Sequence, residues 1–96
     1  QRFPGEARFA YQLGRAYDKV GKFEQALAQY RAGARMGHLQ SMFGLAILHD
    51  NGEGTYKDEC AAAEWYEIAA NEGHLGAMYN VEFHGAKLGH VGFALP

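Results

Sequence analysis

The chain has 96 residues, 48% of them hydrophobic and 21% charged, enough for one packed domain with a polar exterior. Its single cysteine, Cys60, excludes an internal disulfide, and no stretch approaches the ~18 apolar residues of a membrane span. The net charge of −2 conceals a gradient, +4 over residues 1–48 and −6 over 49–96, and the basic half is too dilute and mixed for a nucleic-acid footprint. The chain has no initiator methionine and no signal-like apolar run, so it reads as a segment of a longer product, with cytoplasmic and exported locations both open.

In chain order, helices are expected at about 6–20, 22–36, 39–50, 58–72 and 75–84, joined by short loops. Prolines stand only at positions 4 and 96, so no ring interrupts the pattern between them. Small and aromatic residues recur every three or four positions, which puts Ala26, Tyr30, Gly33 and Ala34 on one helical face. Ala62, Tyr66, Ala69 and Ala70 form a second such face, and strand-type alternation is absent. Gly21, Gly37, Gly73 and the Gly52-Glu53-Gly54 cluster fall where helices should end, in the left-handed conformation open to glycine. Asp58 is placed to cap the helix that follows it.

The chain repeats itself. Residues 26–39 match residues 62–75 at an offset of 36, with identities at Ala26/Ala62, Tyr30/Tyr66, Ala34/Ala70 and Gly37-His38-Leu39/Gly73-His74-Leu75. Upstream of each block lies a related segment, Tyr11–Tyr17 and Phe43–His49, and a third copy begins at Ala77. Antiparallel helices packed along their length need small residues at the crossing, a role that suits Gly14, Ala26, Ala46 and Ala62, with Leu13, Leu45, Tyr30 and Tyr66 filling the adjoining space. One hairpin buries too little surface alone, and stacking on the next completes the core. The expected fold is all-α: an α/α solenoid of about two and a half hairpin repeats. Repeat 1 covers about 6–37, repeat 2 about 38–73, a partial third about 74–85, and a tail 86–96.

The unit from Ser41 to Gly73 resembles a SEL-one-like repeat, a relative of the tetratricopeptide repeat. It carries Ser41 and Leu45, then Asn51-Gly52-x-Gly54, then Lys57-Asp58, Ala62, Trp65-Tyr66, Ala69-Ala70 and Gly73-His74. The first unit has a hairpin loop four residues shorter and is closer to a tetratricopeptide repeat in Leu13-Gly14-x-x-Tyr17, Gly21 to Ala26 and Tyr30. The resemblance covers roughly 7–83. It departs after Phe83, and His49 stands where the family usually has tyrosine.

That resemblance implies a right-handed superhelix whose concave wall is built from the first helix of each hairpin and serves as a scaffold for a protein or peptide. Aligning Leu13, Leu45 and Val81 places Tyr11, Phe43 and Tyr79 two residues before them, and Arg15, Ile47 and Phe83 two after. Arg8, Gln40, Asp18 and Asp50 flank this stripe. Stacked aromatics with a charged rim suit a helix or an extended peptide, whereas the competing reading makes them core between repeats. Two other functions stay open: a structural spacer that self-associates through its open ends, and a regulatory module beside an enzyme domain outside this chain.

No catalytic, cofactor or metal site is expected. His38 and His74 recur through the repeat itself, and His49, His84 and His90 lack ligand spacing. Cys60, without a second cysteine or a base placed by sequence, is expected to fill a small half-buried site. Gly52-Glu53-Gly54 lacks the lysine of a phosphate loop, and a calcium loop begun at Asp50 has Thr55 and Ala61 in its sixth and twelfth places. The apolar, glycine-containing tail is expected to cap the last open face, insert into a neighbouring chain, or stay disordered.

Overall fold

A computed structural model describes residues 4–74, 76 and 78. These residues form four α-helices and no strand: α1 (Pro4–Lys19), α2 (Phe23–Arg35), α3 (Leu39–Asn51) and α4 (Glu59–Asn71). α1 packs on α2 and α3 on α4, as two hairpins joined through the α2–α3 contact, and α1 also touches α3. The architecture is an all-α, repeat-like arrangement of helix hairpins. No helix among the described residues is long and apolar enough to cross a membrane.

The repeat extends to individual hydrogen bonds. At the end of α2 the His38 N–H donates to the Gly33 carbonyl (3.0 Å) and the Gly37 N–H to that of Ala34 (2.9 Å). Thirty-six residues on, His74 donates to Ala69 (3.0 Å) and Gly73 to Ala70 (2.9 Å). These paired bonds close a helix only when the glycine takes positive φ, here 84° at Gly37 and 105° at Gly73. The hairpin turns at Gly21 and Gly52 use the same pair of bonds. Asp58 caps α4 as expected, its carboxylate accepting from the Ala61 N–H at 2.9 Å.

The core lies where the small residues let helices approach. Ala26, Ala46 and Ala62 are fully buried beside Leu45, Leu48, Tyr30 and Tyr66. The Tyr30 ring is pinched between two glycines: a Cβ at Gly14 of α1 would lie 2.8 Å from it, and one at Gly44 of α3 2.9 Å. The longer second loop, 52–58, folds back on the start of α2, so that a Cβ at Gly54 would meet the Phe23 carbonyl oxygen at 2.5 Å.

Two expectations are corrected. Cys60 is exposed rather than half-buried: it sits two residues before Ala62, about 200° round the helix from that buried position. Leu13 is only partly buried, unlike Leu45, because α3 is packed closely on both sides, by α2 and α4, whereas α1 packs closely on α2 and only touches α3. The expected fifth helix, apart from Gly76 and Met78, and the tail 86–96 lie outside the described residues.

Candidate functional site

Eight of the ten expected wall residues are described. α1 carries Arg8, Tyr11, Arg15 and Asp18, and α3 carries Gln40, Phe43, Ile47 and Asp50. Arg8, Arg15 and Gln40 are exposed and the other five are half-buried. Tyr79 and Phe83 lie outside the described residues.

The two aromatics do the same thing in each unit. Tyr11 lies 6.0 Å, centroid to centroid, from Tyr30 of its own hairpin, and Phe43 likewise lies 5.7 Å from Tyr66 of its own. Each also meets the histidine that follows the helix-ending glycine. Tyr11 is 5.2 Å from His38, and Phe43 stacks on His74 at 4.5 Å. These spacings fall within the range of favourable ring pairs. Each of these two aromatics therefore packs against a buried tyrosine and a histidine.

The histidines are the part of this set that sequence reasoning took for bare architecture. His38 Nδ1 accepts the Ser41 N–H at 3.3 Å, which caps α3, and lies 2.9 Å from the Ser41 hydroxyl. His74 Nε2 is paired with the Gln40 side chain, joining α3 to the turn after α4. Their recurrence at offset 36, each just ahead of a first-type helix, was the available signal.

Asp18, expected on the rim, faces inward to a tyrosine. The Tyr30 hydroxyl donates to the Asp18 carboxylate at 3.2 Å, and burial together with that carboxylate holds the phenol above its ordinary pKa. Burial, then the Asp50 charge, acts on Tyr66 in the same sense.

Basic charge collects on α1. The Arg15 guanidinium lies 5.9 Å from the Tyr11 ring centroid, within cation–π range. An open depression of about 400 Å³ runs alongside, lined by Tyr11, Gln12, Arg15, Ala16 and Lys19. The equivalent stretch of α3 presents Phe43 and Ile47 with no cation.

Burial keeps His38 and His49 below the ordinary histidine pKa, helped by Arg8 and Arg31 respectively, with Asp58 opposing at His49. His49 Nδ1 is buried with no hydrogen-bond partner among the described residues. Among those residues no three His, Cys, Asp or Glu side chains gather where a metal ion would sit. Comparison with protein-family models, with curated proteins and with solved structures finds no match.

Proposed function

We propose that the chain is part of an α/α solenoid of the SEL-one-like, tetratricopeptide-related kind, and that its wall of first helices holds a peptide or another protein. The observation that carries this reading is the recurrent ring set: Tyr11 on Tyr30 and His38, Phe43 on Tyr66 and His74. Half-buried aromatics packed on other rings lose little conformational freedom when a partner arrives, which favours their use as anchors. Arg15, Gln40 and Ile47 supply a guanidinium, an amide and an apolar contact beside them.

A peptide library displayed on phage and selected against the full chain tests the reading. Selected peptides should lose about tenfold or more in affinity, roughly 1.4 kcal/mol, on Arg15→Ala combined with Ile47→Ala. Ala28→Arg on the exposed side of α2 should leave binding unchanged. The opposite pattern, or no binder in any selection, counts against the wall as the binding face. Phe43→Ala is the poorer probe, since Phe43 also packs on Tyr66 and its loss disturbs the core.

A further inference from the structure

When the two units are matched, first helices at an offset of 32 and second helices at 36, the inner and outer helices differ in charge. α1 carries Arg8, Arg15 and Lys19 where α3 carries Gln40, Ile47 and Asn51. α4 carries Glu64, Ile68 and Glu72 at its outer side and end, where α2 and its end carry Ala28, Ala32 and Met36. Charge at these places is thus confined to the first and fourth of the described helices, basic on α1 and acidic on α4.

Both stripes are open. Arg8, Arg15, Lys19, Glu64 and Glu72 are exposed. None of the five has an ion pair among the described residues, where the one such pair joins Lys57 and Glu59. Each stripe also has an apolar element beside its charges: Phe9, 66% exposed, with Ala16 on α1, and Ile68, 42% exposed, on α4. Positions 8, 15 and 19 share one side of α1, and 64, 68 and 72 recur at every fourth residue. α1 packs on α2 and α3, and α4 packs on α3, so the two stripes belong to helices that do not pack together within one chain.

We infer that the basic stripe of α1 receives the acidic stripe of α4 from a second copy of this chain, head to tail. The contact is heterologous, so each added copy leaves one stripe free at either end and assembly runs to open chains or a closed ring. It shares Arg15 with the proposed wall of α1, so a bound peptide and a second copy compete for that side, while the α4 stripe lies apart from the wall. Because its charges are at the surface, it weakens as salt shortens the Debye length from about 20 Å near 20 mM to about 4 Å near 0.5 M.

Sedimentation of the full chain across concentrations tests this. The weight-average mass should rise at least twofold with concentration at about 20 mM salt and fall to that of the monomer near 0.5 M. Arg15→Glu with Lys19→Glu should leave only monomer, and so should Glu64→Lys with Glu72→Lys, each with an unchanged far-UV CD spectrum. Mixing those two variants should restore assembly, because the acidic α1 of one then meets the basic α4 of the other. All four changes in one chain should restore it as well. A monomer at every concentration in low salt overturns the inference, as does assembly that survives either reversal or a mixture that stays monomeric. A monomer that instead binds polyglutamate through Arg15 and Lys19 also overturns it, and assigns the α1 stripe to a separate acidic partner.

Discussion

At the scale of single residues, the fold depends on positions where a methyl group has no room. Gly33 faces Ser41, which is fully buried, and a Cβ added there would lie 2.7 Å from the Ser41 Cβ and closer still to its hydroxyl oxygen. Glycine inside a helix normally costs about 1 kcal/mol relative to alanine, so Gly→Ala in an open helix should stabilise. Here the clash wins. Overpacking of this kind costs ~1–3 kcal/mol, and Ser41 cannot swing aside without losing its contact with His38. Gly33→Ala should therefore lower stability by up to about 2 kcal/mol net, and Tm by up to roughly 15 °C. Gly5→Ala, in the first turn of α1 with nothing within 4 Å of the added Cβ, should be neutral or slightly stabilising. A thermal melt of the two variants separates these outcomes, and a Gly33→Ala protein that melts at or above the parent refutes the close α2–α3 approach.

At the scale of elements, the start of α3 depends on a neutral histidine. His38 Nδ1 accepts the Ser41 N–H, and a protonated ring has no lone pair left to do so. Burial, then Arg8, already pushes the His38 pKa below 6.5, and the same holds for His49 through burial and Arg31. With folded values below the unfolded one, the unfolded chain binds more protons as pH falls past 6.5, so stability is full above that point and declines through the folded pKa values. Replacing His38 with asparagine, a good N-cap that does not titrate, should preserve α3 and flatten the decline between about pH 7 and pH 5, leaving the contribution of His49. Urea titrations at three pH values give the slope, and an unchanged slope in the variant shows that His38 is not the group responsible. The elements themselves were largely legible in the sequence. Four expected helices agree with the structure to within two residues at every end, because glycine at each stop and Asp58 at one start state their purpose locally. The His38 cap was not legible, since histidine is no customary cap and its ring partner Tyr11 is 27 residues away. The inward turn of Asp18 was hidden for the same reason: Tyr30, which it meets, lies on another helix.

For the whole molecule, the question is whether one hairpin holds its shape without the next. Tyr30 answers for the first. One edge of its ring rests on Gly14 within the same hairpin, but the other rests on Gly44, across the junction in α3. Gly33 likewise meets Ser41 of α3, and the end of α2 leads through Gly37 directly into the cap that starts α3. Residues 1–37 in isolation keep the α1–α2 contact and Gly14 but lose Gly44, Ser41 and the α3 cap, and they expose the side of Tyr30 that the structure seals at 4% accessibility. Helices of 16 and 13 residues sit at the length where an isolated helix is marginal in water, so the stabilising term must come from packing across the junction. The peptide 1–37 should show less than about half the per-residue helical CD signal of the full chain and melt without a cooperative transition. The full chain should unfold in one sigmoidal step, because the α2–α3 contact couples its two hairpins. A peptide 1–37 that folds with its own sharp melt would make the hairpin autonomous, and Gly33 and Gly44 would then matter for joining two finished units rather than for finishing the first.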